Sequence, residues 1–271
     1  MKTRVIVGAG LLAMLVTGLV LGGYFLLGII TLFSLAAVYE VSRISSAKGG
    51  NPNLIPAYAF AATYAFVYYY FGFLPTVCLY LICILTTVVM AVLDERGTAG
   101  DAVFSLFLYV YPLAFLACTL LVYFAFPRRI GLTAAVLAYA APEMSDMFAY
   151  FGGTLFGKKK LCPSISPKKT VEGAYCAVLG GVACGALLIP LQTLWGGTTG
   201  AFVLVFTGFL AGVFSQIGDL FASRLKRWAE IKDFSTVLPG HGGIMDRIDS
   251  ILMCAPIVLM IFTILREFGI Y

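Results

Sequence analysis

Residues 73–93 read FLPTVCLYLICILTTVVMAVL, an apolar run without a single charged side chain. A hydrocarbon layer of about 30 Å is crossed by a helix of about 20 apolar residues, and this run supplies one. Similar stretches lie on both sides of it, at approximately 4–21, 23–44, 56–71, 103–126, 130–152, 171–194, 198–222 and 245–267. Their separators are the usual breakers and polar clusters: Gly22-Gly23, the segment Gly49 to Pro56, Gly72, Asp94 to Asp101, Pro127-Arg128-Arg129 and Gly196-Gly197. The pattern predicts an all-α, polytopic integral membrane protein of about nine transmembrane helices.

Composition agrees. The 271 residues are 61% hydrophobic and 11% charged, with a mean hydropathy of +0.98, whereas soluble domains are about one-quarter charged. Too few polar side chains exist to cover a water-facing surface, so lipid is the main solvent. Residues 1–271 are read as a single membrane domain, with N-terminal helices in 1–126 and catalytic helices and loops in 127–271. Lys2 and Arg4 precede the first apolar stretch, but no small-x-small cleavage site precedes Tyr24, so a retained first helix is expected. Seven cysteines lie scattered, without a C-x-x-C pair, which argues against a disulfide framework or a zinc site.

Basic residues set the orientation. With the N-terminus inside, only Arg128, Arg129 and Arg266 of the 18 Lys and Arg residues fall on the outer side. The positive-inside rule therefore favours a cytoplasmic N-terminus and an external C-terminus. The net charge of +5 needs no ligand to explain it, and no nucleic-acid partner is expected. Two inner loops are nevertheless richer in polar groups than topology requires.

Acidic residues within apolar spans are expensive and mark functional sites by default. Glu143 and Asp146 close the sixth span, Glu172 opens the seventh, and Asp219 lies near the inner end of the eighth. Asp219, Ser223, Lys226, Arg227 and Glu230 follow one another at helical spacing along one face. Snorkelling explains Lys226 and Arg227 at a helix end, but not Asp219, a turn or more deeper. The next segment runs from Lys232-Asp233 through Gly240-His241-Gly242-Gly243 to Asp246-Arg247-Ile248-Asp249. Glycines around the lone histidine let backbone N–H groups approach an anion. Asp246 and Asp249 share a face of the ninth helix at its start, where carboxylates also suit the helix dipole.

The other inner loop carries Lys158-Lys159-Lys160, then Ser166-Pro167-Lys168-Lys169-Thr170 and Glu172-Gly173. Ser166-Pro167 followed by Lys168-Lys169-Thr170 at a helix start brings hydroxyls, ammonium groups and free N–H groups together as a polyphosphate cradle; a membrane-surface basic patch for anionic lipid suits Lys158 to Lys160 better than Lys168 to Thr170. Carboxylates without a His/Cys cluster suit Mg²⁺, which binds through one or two carboxylates plus substrate phosphates. The residues thus point to phosphoryl or nucleotidyl transfer on an anionic substrate at the membrane surface, without naming the nucleotide.

The segment Ser223 to Asp249, with its His241-Gly-Gly and Asp246-Arg247-Ile248-Asp249, resembles the signature of the phosphatidate cytidylyltransferase (CDP-diacylglycerol synthase) family. A second similar region comprises Ser145-Asp146, Ala149-Tyr150, Phe156-Gly157-Lys158 and Ser166 to Gly173, so the resemblance covers roughly residues 143–250. It implies that CTP and phosphatidate (phosphatidic acid) give CDP-diacylglycerol and pyrophosphate within a bilayer. In similar enzymes acids matching Asp219 and Asp246 hold the metal, which implies Mg²⁺ on these two, with K⁺ as a second cation. The resemblance further implies catalytic roles for Asp219, Asp246, Lys226 and Asp249. Lys168, Thr170, Lys226 and Arg227 are candidates for the CTP phosphates, and Ser223, Lys232 and His241 join the substrate-binding set. Asp146, Asp249 and Glu172 either support the ligands or hold the cations, and Arg247 pairs either with the lipid phosphate or with Asp219.

Two other classes compete. A CTP-dependent transferase or kinase acting on an isoprenoid lipid would share the phosphate site. A transporter would line a path with charges, but the halves show no internal repeat and the charges gather in the last part of the chain. The glycine-rich spans, among 29 glycines in all, can pack within a protomer or in a homodimer. A bacterial inner membrane, with the site on its cytoplasmic side, is the expected location.

Overall fold

The structure, a computed structural model, describes the backbone of residues 2–269 and the side chains of residues 6–269. Lys2 and Arg4, two of the charges used for orientation, therefore have their side chains outside the described residues. The chain is built from α1 (Lys2–Leu21), α2 (Gly23–Ala47), α3 (Ile55–Phe71), α4 (Phe73–Leu93), α5 (Ala99–Leu108), α6 (Phe115–Phe124), α7 (Arg128–Phe156), α8 (Val171–Leu191), α9 (Ala201–Trp228) and α10 (Met245–Glu267). A π-turn at Tyr109–Ala114 joins α5 to α6, and a 3₁₀ turn at Gln192–Trp195 continues α8. Among the described residues, six helical segments are long and apolar enough to cross a membrane: Gly23–Ala47, Phe73–Leu93, Ala99–Phe124, Val171–Trp195, Ala201–Trp228 and Met245–Glu267. The protein is an all-α polytopic membrane protein.

The breakers act where the sequence puts them. Gly22 (φ 60°) and Gly72 (φ 85°) occupy backbone conformations open to glycine and separate α1 from α2 and α3 from α4. Thr98 and Asp101 form a reciprocal capping box that starts α5. Three features differ from the sequence reading. Helices α2, α7 and α9 run several residues past their apolar stretches, because a helix continues in water on polar residues that hydropathy does not count. The expected fifth span is interrupted at Tyr111 (φ −132°, ψ 113°), next to Pro112, which has no N–H to give to a helix. The loop after α7 folds into a small antiparallel hairpin of β1 (Lys160–Cys162) and β2 (Ser166–Thr170), with Lys160 opposite Thr170.

The described residues cluster into two compact units, residues 2–120 with 225–247 and residues 121–224 with 248–269, whose boundaries fall within α6, α9 and α10. In the first unit α2 buries Leu26, Leu27, Ala37, Val38, Val41 and Ile44. Two pairs of buried hydroxyls are matched there: Tyr64 Oη bonds Ser34 Oγ at 3.0 Å and Tyr109 Oη bonds Thr87 Oγ1 at 2.9 Å, which lowers the cost of keeping them in a slab without water. Helix α4 buries only Cys83 and Thr87 and exposes Leu74, Leu81, Ile82, Leu85, Val89 and Val92. That surface suits lipid and not water.

In the second unit the helices meet through glycines. A Cβ on Gly181 would lie 2.2 Å from the carbonyl oxygen of Gly208, and one on Gly185 would lie 2.3 Å from that of Leu204, so α8 and α9 cross backbone to backbone. A Cβ on Gly218 would lie 2.5 Å from the carbonyl oxygen of Asp249, which brings α9 equally close to α10.

Candidate active site

In the first unit the polar segment after α9 is folded around two carboxylates. The helix itself ends at Trp228 in a Schellman arrangement: Ile231 N–H donates to Lys226 O at 3.0 Å and Glu230 N–H to Arg227 O at 3.1 Å, with Glu230 at φ 59°. Beyond it, Asp246 Oδ2 accepts Phe234 N–H and Gly243 N–H, each at 2.9 Å, and Asp246 Oδ1 takes the Lys226 ammonium at 2.5 Å. This pair is withdrawn from solvent, with side-chain exposures of 10% for Lys226 and 3% for Asp246. The same ammonium lies 5.1 Å from the centre of the Phe234 ring, a cation–π contact that adds to the pair where water is scarce.

The second carboxylate is Glu40 of α2, fully buried. Its Oε1 accepts Ser235 Oγ–H at 2.6 Å and Ile244 N–H at 2.9 Å, and its Oε2 accepts Met245 N–H at 2.7 Å. Glu40 is absent from the sequence-based site. The signal for it was present, because an acid inside the apolar stretch 23–44 meets the same criterion that singled out Asp219.

Gly242, at φ 79°, and Gly243 are required by this packing. A Cβ on the first would stand 2.8 Å from Asp246 Oδ2, and one on the second 2.4 Å from Glu40 Oε2. His241 packs toward α1, where a Cβ on Gly8 would lie 3.6 Å from its Nε2. Its Nδ1 is buried without a hydrogen-bond partner among the described residues. Arg227, Lys232 and Arg247 are exposed. Arg227 donates to the carbonyl of Ile231 at 3.2 Å. Lys48, just past α2, bonds Glu230 at 2.5 Å, and that ammonium holds the Glu230 carboxyl below the usual carboxylate range.

In the second unit Asp219 is paired with Lys169 of β2, both about one-quarter exposed at 28% and 24%. Ser223, one turn on, donates to Asp219 Oδ1 at 3.4 Å. The sequence reading put Lys168 in the site and left its neighbour out; Lys168 is exposed, and Lys169 is the residue paired with Asp219. Thr170 caps α8 by accepting Gly173 N–H at 3.1 Å. Glu172 accepts the backbone N–H groups of Lys158 at 3.0 Å and Lys159 at 3.2 Å, tying the start of the hairpin to α8. Asp249 is buried and accepts Ser250 N–H at 2.7 Å. Asp146 lies exposed in the middle of α7 rather than at its end.

No group of three or more His, Cys, Asp or Glu side chains capable of holding a metal occurs among the described residues. The donor set fits a hard cation that takes its remaining ligands from phosphates. Asp219 and Asp246 each carry an ammonium group where a cation would neutralise them.

The model of the cytidylyltransferase family matches residues 2–265. The chain belongs to that family. Among the relatives of this cytidylyltransferase-family chain is the phosphatidate cytidylyltransferase of Staphylococcus haemolyticus (strain JCSC1435), 38% identical over 138 residues, or 50% of this chain and 51% of the relative. That of Staphylococcus aureus (strain COL) is 38% identical over 133 residues, 48% of this chain and 49% of the relative. The chain thus spans about half the length of the curated relatives it matches.

Proposed function

We propose that the protein transfers the cytidylyl group of CTP to phosphatidate, giving CDP-diacylglycerol and pyrophosphate. The observation that carries the reading is the fold of the 223–249 segment in a cytidylyltransferase-family chain: a buried Lys226–Asp246 pair locked to backbone N–H groups, beside exposed Arg227, Lys232 and Arg247. A lipid phosphate oxygen attacks the α-phosphorus of CTP and forms a new P–O bond there. The bond from that phosphorus to the oxygen bridging the β-phosphorus breaks, and pyrophosphate leaves with it. The nucleophile is already anionic, so no covalent enzyme intermediate is needed, and catalysis is positioning and charge neutralisation.

Asp219 and Asp246 would hold Mg²⁺, with K⁺ as a second cation; when bound, these cations offset charge on the CTP phosphates. The chain's own groups do the remaining work. Lys226 and Lys169, each paired with one of those carboxylates, would serve the phosphates as ammonium donors beside a bound cation. Arg227, Lys232, Lys168 and Arg247 draw the triphosphate and the lipid phosphate from solution. Thr170 and Glu172 hold the start of α8 and the hairpin that carries Lys168 and Lys169. Asp249 joins Asp219, Asp246 and Lys226 in the catalytic set, and Asp146, Ser223 and His241 complete the substrate-binding set.

Nine spans with a cytoplasmic N-terminus, a site on the cytoplasmic face of a bacterial inner membrane and a homodimeric assembly complete the proposal. The basic asymmetry supports the orientation and the side of the site. The test is incorporation of labelled CTP by the purified protein with phosphatidate or with a prenyl phosphate as acceptor. Preference for phosphatidate is expected, with loss of product in Asp219→Ala and Asp246→Ala. Preference for the prenyl phosphate transfers the reading to an isoprenoid substrate, and full activity in either variant removes the metal assignment.

A further inference from the structure

We infer that Glu40 is a positioning residue for the reaction, acting from α2 on the segment that carries Lys232, His241 and Asp246. The inference rests on the proposed cytidylyltransferase activity. Glu40 and Asp246 divide the two ends of that segment between them. Glu40 takes Ser235 and the N–H groups of Ile244 and Met245, while Asp246 takes the N–H groups of Phe234 and Gly243. Residues 234–235 and 243–245 are thereby held together, and everything between them forms a closed loop, which also contains a Leu238–Gly242 bridge.

Two features argue for positioning rather than packing alone. A carboxylate is a poor choice for filling an apolar core, since burying a charge is costly unless every lone pair in use is met by a donor. Here three donors converge on it, and all three come from the one segment. The N–H groups of Ile244, the residue before α10, and of Met245, its first residue, have no acceptor within the helix. Glu40 supplies that acceptor from another helix, and its negative charge suits the helix start. The position of Asp246, one residue further along, is then tied to α2. Gly243 is the counterpart, because only a residue without a Cβ leaves room for the Glu40 carboxylate.

Glutamine at position 40 separates these roles. It has nearly the same shape, and its carbonyl oxygen can still accept two of the donors. Its NH₂ group, however, faces a donor where the second carboxylate oxygen stood. The experiment compares Glu40→Gln and Gly243→Ala with the parent chain in lipid nanodiscs, by hydrogen exchange of peptides spanning 232–248 and by steady-state kinetics. In both variants the backbone of 243–246 is expected to exchange at least tenfold faster, while peptides of α3 and α4 stay at the parental rate. For Glu40→Gln, kcat is expected to fall at least tenfold per folded molecule, with the KM for CTP changed less than threefold. Parental exchange in 243–246 overturns the inference, as does an activity loss that merely follows the folded fraction. If the parent chain makes no CDP-diacylglycerol, the proposed function fails by itself. The exchange data still judge the loop clasp: faster exchange upholds it, and parental exchange refutes it.

Discussion

Asp246→Asn is the substitution for which the structure sets the clearest cost. Asparagine keeps the shape of the side chain but replaces one acceptor oxygen by a donor NH₂. In one orientation the NH₂ meets the N–H groups of Phe234 and Gly243, and in the other it meets the Lys226 ammonium. No rotamer satisfies all three donors. A hydrogen bond to a charged group contributes about 1.5–3 kcal/mol, and breaking a buried pair by removing one charge costs about 3–5 kcal/mol. The Lys226 side chain is 10% exposed, so solvent relieves little of this, and a loss near 3 kcal/mol is expected. That is a factor of roughly one hundred in the folding equilibrium. Equilibrium unfolding in mixed micelles of the parent, Asp246→Asn, Lys226→Met and the double variant measures it as a double-mutant cycle. With the ammonium gone, the asparagine can turn its carbonyl oxygen to the two N–H groups, so the double variant recovers part of the loss. A coupling of at least about 1.5 kcal/mol is expected. An asparagine variant as stable as the parent, or effects that add within about 0.5 kcal/mol, would refute the reasoning.

Other outcomes follow from the same geometry. Gly218→Ala drives a methyl group against the carbonyl oxygen of Asp249 and should destabilise the fold by about 1–3 kcal/mol. Gly28→Ala on α2, with nothing within 4 Å of the new methyl group, should stabilise it by about 0.5–1 kcal/mol; thermal melts of the two variants check both signs. The Lys48–Glu230 pair should produce a pH-dependent contribution. Because Lys48 depresses the Glu230 carboxyl, the contribution is present above the ordinary glutamate pKa of about 4.3 and disappears as the pH falls through the lower, folded-state value. The melting temperatures of the parent and Glu230→Gln should therefore differ slightly near neutrality and converge in acid. A gap that widens on acidification contradicts the assignment.

The helices were legible because their signal is long-range and redundant: apolar runs near 20 residues bounded by Gly22, Gly72, Thr98 and Pro127 leave few alternatives. The site was legible only in its residue types. Hydropathy does not register a short hairpin, so nothing in the sequence showed that Ser166–Thr170 is a strand, in which neighbours point to opposite faces. That alternation decides that Lys169, not Lys168, meets Asp219. Glu40 carries a local signal, an acid inside an apolar stretch, but its role carries none. Its three partners lie about 200 positions away in sequence (|i−j| 195, 204 and 205), and no local pattern encodes such a contact. The sequence assigns Asp246 to a metal only by resemblance, and it could not indicate that this side chain organises the loop before it.

The central claim is that the α-phosphorus of CTP ends up in the lipid. Purified protein in nanodiscs containing phosphatidate is supplied with CTP labelled at the α-phosphorus in one reaction and at the γ-phosphorus in another. The account predicts α-label in an organic-phase product, γ-label released as pyrophosphate, and equal amounts of the two. Transfer of the γ-label to lipid, with CDP left in water, would mean a CTP-dependent kinase and would contradict the account.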